Sequence, residues 1–335
     1  MASDPLGVGI LGASTIAPTA LVLPARRRDE LRTTIIAARR PGAADHFARE
    51  WDIPRATESY LEVVTDPSID LVYVSLAVRD HARWSIAALD AGKHVLCEKP
   101  AAHTAAEAYA MVEAARRNRR HLQEGFHYRH HPLFAAVQHI VQTGRFGAVV
   151  EMSSAILGSR PFKVGSALHD AALGGGALRH SGCYALHWMR TLMRAEPTVA
   201  AASASVGPGG TDGESAVDLV FPGGQRGRIL SSFDRDPSAE DGPQLTVLFE
   251  HGRLEVDGLV VPHPSNRLRL WHKNELIVDR SVDGASSYDL QLAYMIETIA
   301  SGRDDDTTTA DERDLVAGAN LLDEAYAMMR LPTRG

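Results

Sequence analysis

The chain has 335 residues, of which 44% are hydrophobic and 23% are charged, and its net charge is −7. This length allows two domains with large buried cores, and the ordinary composition excludes a fibrous or wholly disordered protein. Nucleic acid is not expected as a partner, because a binder would present a basic face, and the arginine clusters at residues 26–28 and 116–120 are interpreted as solvated helix ends.

Several features predict a cytoplasmic protein without a membrane partner. No apolar run approaches the length of a membrane span. The short, acidic start of the sequence lacks the basic residues and the long apolar core of a secretory signal. Cys97 and Cys183 are far apart and too few to form a disulfide framework, so a reducing compartment is the simplest expectation.

The first 123 residues alternate between predicted strands and predicted helices. Short apolar runs predict strands at residues 6–12, 33–38, 70–76, 94–97 and 121–123. Helices are predicted from about residue 16 and over residues 46–51, 60–64, 81–91 and 104–118, the last opened by a capping box of Thr104 and Glu107. This alternation is typical of βαβ units in an α/β fold with a doubly wound parallel sheet.

After residue 123 the pattern changes to a mainly antiparallel sheet. A helix at residues 133–143 precedes predicted strands at residues 148–156, 199–206, 215–221, 227–233, 244–250, 252–256, 268–272 and 275–278. A surface loop at residues 304–306 separates two closing helices, at 288–301 and 310–329. We therefore predict domains at residues 1–123 and 124–335, with the last helix a candidate for packing back on the first domain.

The turn after the first strand has the features of a phosphate-binding turn. Gly12 stands where the chain must bend sharply, Ser14 where the backbone would meet a pyrophosphate, and Ala17 where the helix packs on the strand. Thr15 and Ile16 complete the turn and open the helix, whose free N–H groups attract phosphate. The alternative, a plain strand–helix turn, is disfavoured by the position of the turn so near the start of the sequence.

The end of the second strand indicates which dinucleotide binds. An acidic residue there would bind the ribose 2′-hydroxyl of NAD, but the first acid is Asp45. Arg39 and Arg40 occupy the tip instead, and guanidinium groups match a 2′-phosphate in charge and geometry. NADP is the favoured cofactor and NAD remains the alternative. The competing interpretation of the two arginines is an ordinary solvated pair on a loop.

A second motif ends the fourth strand, where ligands lie in such sheets. It reads Cys97-Glu98-Lys99-Pro100. Together with residues 12–17, 125–132 and 174–178, it resembles the glucose–fructose oxidoreductase / inositol dehydrogenase / MocA (GFO/IDH/MocA) family, over essentially the whole chain. The resemblance implies an N-terminal Rossmann domain and a C-terminal α/β domain with a large, mainly antiparallel open sheet. It also implies a homo-oligomer, a dimer or tetramer, formed through that sheet.

The resemblance further implies reversible hydride transfer between a nicotinamide and a carbon of a sugar, polyol or cyclic diol. Lys99 then binds the substrate oxygen and tunes proton transfer. The remaining positions that match the family's cofactor contacts are Ser75, Leu76, His81, Glu98, Arg129 and Tyr288.

One family motif departs from its usual pattern in this chain. Tyr184 stands at the acid–base position, whereas His180 stands where the family has aspartate. Four residues apart, the two would share one face of a helix. Histidine can exchange protons near neutral pH but cannot supply the fixed negative charge of aspartate. His187 either faces the pocket or packs within the helix.

The histidine-rich stretch with His127, His130 and His131 is not interpreted as a metal site. No carboxylate or cysteine is spaced beside these residues to complete a ligand set. The family that the chain resembles has no metal here either.

Three hypotheses follow for the function. The first is an NADP-dependent dehydrogenase or reductase in which Tyr184 handles the hydroxyl proton, Lys99 polarises the oxygen and His180 tunes the network. The second is a dinucleotide-binding sensor or regulatory protein with little catalysis, which the altered motif favours slightly and the intact Lys99 and Tyr184 oppose. The third is oxidation of a glycoside at a ring carbon with a tightly held cofactor.

Overall fold

The computed structural model describes residues 4–234, 242–303 and 307–331. The first three residues and the predicted loop at residues 304–306 lie outside this range. The chain forms two compact units, one from residues up to 127 and from 288 to 316, the other from residues 128 to 287 and from 317 onward. Within the described residues, no helix is both long and apolar enough to cross a membrane.

The first unit contains a six-stranded sheet in which every neighbouring pair is parallel. Its order is β3-β2-β1-β4-β5-β6, so the predicted doubly wound parallel sheet is confirmed. The strands are β1 (Leu6–Leu11), β2 (Leu31–Ala37), β3 (Arg55–Thr57), β4 (Leu71–Val74), β5 (His94–Cys97) and β6 (Leu122–Glu124). The sequence prediction missed β3, because an edge strand of three residues carries no apolar run.

Helices connect these strands, and capping side chains or glycines mark the ends of some of them. After a π-helical segment, Pro18–Val22, come α1 (Leu23–Ala25), α2 (Ala43–Glu50), α3 (Tyr60–Thr65), α4 (Val78–Asp90) and α5 (Ala105–Arg117). The predicted Thr104 cap of α5 is confirmed, since its hydroxyl accepts from the Glu107 N–H at 3.2 Å. The Glu107 carboxylate accepts from the His103 N–H at 2.9 Å, one residue before the cap. Gly92, at φ +78°, follows the end of α4.

The second unit contains an eight-stranded sheet with the order β14-β13-β12-β11-β7-β10-β9-β8. Only the β7–β10 pair is parallel, so the predicted mainly antiparallel sheet is confirmed. The strands are β7 (Val149–Leu157), β8 (Thr198–Val206), β9 (Asp212–Val220), β10 (Arg226–Ser232), β11 (Leu245–Phe249), β12 (Gly252–Asp257), β13 (Arg267–His272) and β14 (Glu275–Arg280). Alternate residues are buried, as the pleat requires.

Two helices of the second unit are α6 (Pro132–Gln142) and α7 (Cys183–Met193). Most of α7 is buried, including Trp188 and Met189 at 0% exposure. A π-helical segment, Leu178–Gly182, precedes α7 directly. His180 therefore lies in the π-helical segment, whereas Tyr184 lies in the first turn of α7.

The chain closes with α8 (Ser287–Ala300) and α9 (Ala310–Met329). Leu292 and Met295 of α8 are fully buried in the core of the first unit, in one cluster with residues of β1 and β4. The Arg27 guanidinium forms a bidentate ion pair with Asp289 at 2.8 Å. Arg27 is thus more than a solvated helix end, since it fixes the start of α8 to the first unit.

Candidate functional site

The turn after β1 is shaped by Gly12. Its φ of +105° lies in the left-handed region that favours glycine. A Cβ at this position would lie 2.2 Å from the Ser75 carbonyl oxygen. The turn therefore packs directly on the loop that follows β4, and only glycine leaves room for both backbones. A tight glycine turn between a strand and a helix is the geometry typical of dinucleotide-binding turns.

Ser14 links the same turn to that loop and to the helix behind it. Its Oγ lies 2.5 Å from the Ser75 Oγ. It also accepts a hydrogen bond from the Ala17 N–H at 3.2 Å. The hydroxyl thus ties the turn both to the loop after β4 and to the residue that precedes the π-helical segment, a local role that a glycine at this position could not perform.

The tip of β2 carries the two predicted phosphate-binding arginines. Arg39 forms an ion pair with Asp80 of α4 at 2.5 Å, with 58% of the Arg39 side chain exposed. Its guanidinium also lies over the Tyr60 ring, 5.2 Å from the centroid. Arg40 is exposed. An acid does lie beside this tip, but it comes from α4 rather than from the end of β2.

Glu98 follows β5 and is held by a neighbouring strand. The Tyr73 hydroxyl, on β4 and fully buried, donates to the Glu98 carboxylate at 2.7 Å. The residue Glu98 is partly exposed, yet the surrounding protein withdraws solvent from its carboxyl and raises its pKa. The Lys99 charge and the Tyr73 hydrogen bond oppose this shift of the pKa. The carboxyl is thus fixed beside the backbone of the predicted reacting lysine.

The loop of Lys99 and Pro100 is tied to the loop after β4 by one imidazole. The His81 Nδ1 lies 2.9 Å from the Pro100 carbonyl oxygen and its Nε2 lies 3.0 Å from the Leu76 carbonyl oxygen. His81 is 1% exposed, and burial lowers its pKa. The ring therefore lies between two backbone segments of the site, and in its neutral form it donates a hydrogen bond to one of these two carbonyl oxygens.

Tyr288, at the start of α8, lies in the same unit. Its ring stacks on the His127 ring with centroids 3.8 Å apart. Burial raises the pKa of Tyr288, and the Glu98 charge raises it further. Tyr288 is distant from Glu98 in the sequence but lies near it in the folded first unit.

In the second unit, His180 and Tyr184 lie on either side of the junction between the π-helical segment and α7. Tyr184 is buried, at 6% exposure, and His180 is partly exposed. The His180 ring meets the Phe233 ring edge to face, with centroids 5.7 Å apart. The imidazole therefore packs against an aromatic neighbour.

Tyr128 and His187 form a buried pair next to Tyr184. The Tyr128 hydroxyl hydrogen-bonds with the His187 Nδ1, and the Tyr128 ring centroid lies 5.8 Å from that of Tyr184. His187 is 3% exposed, and its ring lies edge to face with the Tyr128 ring, with centroids 5.6 Å apart. Burial, together with Arg129 and His187, lowers the pKa of His130 to about 3.

The histidine-rich stretch does not assemble a metal site. Among the described residues, no three or more histidine, cysteine or acidic side chains are arranged to hold a metal ion. His131 instead caps α6, where its Nδ1 accepts from the Leu133 N–H at 3.1 Å.

Comparison with known proteins identifies the family. Residues 6–126 match the oxidoreductase family with an NAD-binding Rossmann fold named GFO_IDH_MocA, and residues 134–255 match the GFO/IDH/MocA C-terminal domain. D-xylose 1-dehydrogenase (NADP(+)) 2 of Haloferax volcanii is 30% identical over 95% of this chain and 95% of its own. The chain belongs to the GFO/IDH/MocA oxidoreductase family.

Two further comparisons agree with this membership. Trans-1,2-dihydrobenzene-1,2-diol dehydrogenase of Xenopus tropicalis is 33% identical over 59% of each chain. The crystal structure of aldose-aldose oxidoreductase from Caulobacter crescentus shares the fold, with a TM-score of 0.84 at 23% identity over 97% of this chain and 98% of that one. As a GFO/IDH/MocA protein, the chain is an oxidoreductase of the dehydrogenase and reductase class.

Sequence reasoning about this GFO/IDH/MocA site missed several side chains. The structure brings most predicted cofactor positions together in the first unit: Gly12, Ser14, Thr15, Ile16, Arg39, Arg40, Ser75, Leu76, His81, Glu98, Lys99 and Tyr288. It places Arg129, His180 and Tyr184 in the second unit. Tyr73 was missed because an aromatic residue within a buried strand reads as core, although its hydroxyl needs a partner there.

Proposed function

We propose that this protein is an NADP-dependent oxidoreductase that transfers a hydride between nicotinamide and a carbon of a sugar, polyol or cyclic diol. One observation carries the proposal. Leu11 pairs with Val74, and Val74 pairs with Cys97, so the three strands end level with one another. The pyrophosphate turn, the Ser75 loop and the Glu98–Lys99 motif therefore leave the sheet side by side, at the edge where dinucleotides bind.

The preference for NADP rests on the tip of β2. Arg40 is exposed there and is available to a 2′-phosphate, whereas Arg39 is already neutralised in part by Asp80. The relative from Haloferax volcanii carries NADP(+) in its name, which supports the same preference. Arg40 is accordingly the residue to which we assign most of the discrimination against NAD.

The roles of the chain's own side chains follow from their chemistry. When bound, the nicotinamide would accept or supply the hydride. Lys99 is the cation that polarises the substrate oxygen, and the Glu98 carboxylate, fixed by Tyr73, holds compensating charge beside it. Tyr184 exchanges the hydroxyl proton, and His180 tunes that exchange in place of the family's aspartate.

The activity is tested with the purified full chain, NADP+ or NADPH, and a panel of aldoses, polyols and cyclic diols. We expect turnover on at least one class, and a loss of kcat of about a hundredfold or more in Lys99→Ala and Tyr184→Phe. Full activity in both variants would refute these roles. Tight NADPH binding without turnover on any substrate would instead support the sensor hypothesis.

The cofactor preference has its own test. Arg40→Ala should raise the KM for NADP+ by about tenfold or more with little change for NAD+, because a guanidinium–phosphate hydrogen bond contributes about 1.5–3 kcal/mol. Asp80→Asn should lower the KM for NADP+, since it removes the anion that competes for Arg39. An unchanged ratio of KM values in both variants would contradict the assignment.

We also propose that the protein works in the cytoplasm as a homo-oligomer formed through its eight-stranded sheet. Leu248 and Val220 are 38% and 40% exposed on the strands of that sheet, which supports a partner surface there. Cys97 and Cys183 are both buried and form no disulfide with each other, which is compatible with a reducing compartment. Light scattering on Leu248→Asp, which should yield monomers, tests the oligomer.

A further inference from the structure

A buried carboxylate in the second unit contacts the segment that carries His180. Asp212, the first residue of β9, is 0% exposed. Its Oδ2 accepts a hydrogen bond from the Leu178 N–H at 2.7 Å. Leu178 opens the π-helical segment, two residues before His180. The carboxylate thus fixes the first backbone donor of the segment.

The other oxygen of the same carboxylate is bound by the last helix. The Tyr326 hydroxyl, on α9, donates to the Asp212 Oδ1 at 2.8 Å. The Arg179 guanidinium lies over the Tyr326 ring, 3.8 Å from its centroid. The two residues that precede His180 are therefore both anchored, one through its backbone N–H and one through its side chain.

The glycine-rich segment 174–178 approaches Asp212 and Tyr326 closely. Gly176 has a φ of +128°, and a Cβ there would lie 2.0 Å from the Asp212 Oδ1 and 2.8 Å from the Tyr326 hydroxyl oxygen. A side chain at residue 176 would displace both groups. The glycine is thus required by the close approach of Asp212 and Tyr326.

We infer that Asp212 and Tyr326 are positioning residues for the reaction, which set the direction of His180 and Tyr184 through the Leu178–Gly182 segment. The inference rests on the proposed function, which gives His180 and Tyr184 their roles. It extends that function to two residues whose contacts are with Leu178 and Arg179, the residues that precede His180. They act through the backbone that carries them.

The physical reason is the geometry of the segment. A π-helical turn is rare and persists only where its surroundings determine it. Burial raises the pKa of Asp212, while the Leu178 N–H and the Tyr326 hydroxyl favour its ionised form. Loss of the phenol hydroxyl removes one of these donors from a buried carboxylate, so the carboxylate and the segment bonded to it must rearrange.

The test is Tyr326→Phe in the full chain, with Tyr294→Phe as the matched control. Tyr294 also donates to a carboxylate, Asp311, at 3.0 Å, but in the first unit. For Tyr326→Phe we expect kcat to fall about tenfold, the NADPH dissociation constant to change less than about twofold, and the alkaline limb of the kcat–pH profile to move by about half a unit. The control should leave all three unchanged.

A second measurement does not depend on turnover. Hydrogen exchange of peptides that cover residues 178–184 should become faster in Tyr326→Phe and stay unchanged in Tyr294→Phe. Unchanged exchange in Tyr326→Phe overturns the inference. Faster exchange with an unaltered kcat and pH profile also overturns it, since Tyr326 would then be merely structural. A wild-type protein without turnover refutes the proposed function, and the exchange result still decides whether Tyr326 holds the segment.

Discussion

Tyr73→Phe removes one hydroxyl from the first unit and leaves the ring in place. That hydroxyl is fully buried and donates to Glu98 at 2.7 Å. Hydrogen bonds to ionised groups contribute about 1.5–3 kcal/mol and neutral ones about 0.5–1.5 kcal/mol. Because Glu98 is partly exposed, we take the lower part of the first range and expect the variant to lose about 1.5–2 kcal/mol once Glu98 is ionised.

The expected loss depends on pH in a defined direction. Since the pKa of Glu98 is raised in the fold, the folded protein keeps a proton that the unfolded chain releases between the ordinary value of 4.5 and the raised one. The free energy of unfolding therefore falls as pH rises through that window. The Tyr73 hydrogen bond opposes this fall, so the variant should lose more stability at high pH and only about 1 kcal/mol near pH 4.5.

Urea unfolding of wild type and Tyr73→Phe at about pH 4.5 and about pH 8 measures this difference. Tyr294→Phe serves as the control, because its hydroxyl is bonded to Asp311 near the surface and should matter little at either pH. A loss in Tyr73→Phe that is equal at the two pH values would refute the reasoning, since the hydroxyl would then not be paired with a titrating carboxyl.

Three other substitutions test the fold around the site. Gly12→Ala should weaken NADPH binding by about tenfold or more in a fluorescence titration, because the new Cβ would meet the Ser75 carbonyl oxygen at 2.2 Å; unaltered affinity would argue against a dinucleotide-binding role of this turn. Thr104→Ala should cost about 1 kcal/mol in urea unfolding through loss of the cap of α5, with Thr104→Ser restoring most of it. Glu312→Gln should cost about 3 kcal/mol, because it breaks the ion pair with Arg303, whose side chains are 0% and 3% exposed; a loss below about 1 kcal/mol would show that the pair is not needed.

Sequence reasoning succeeded where a local pattern reports a local structure. The apolar runs predicted five of the six parallel strands, and the Thr104 cap places the start of α5. It failed at β3, whose three residues pair only through the sheet edge. It also missed the π-helical segment at residues 178–182, whose first N–H donates to Asp212, a residue distant in sequence.

In the candidate site too, the sequence identifies residues that belong to local motifs but not the contacts between distant residues. Sequence motifs identify four of the candidate site residues, namely Gly12, Ser14, Glu98 and Lys99. Asp80 could not be predicted as the partner of Arg39, because a residue 41 positions away becomes its neighbour only when α4 begins beside the tip of β2. Long-range pairs of this kind are set by topology rather than by spacing.

The first unit is discontinuous along the chain, and this affects how it can be made. Leu292 and Met295 of α8 occupy the core beneath its sheet, with Tyr288 in the same cluster. During synthesis, the six strands leave the ribosome more than 150 residues before these side chains do. Because domains fold as units, the early segment exposes apolar surface until α8 has been synthesised. A fragment that stops at residue 127 should accordingly aggregate, and addition of a peptide spanning α8 should rescue it.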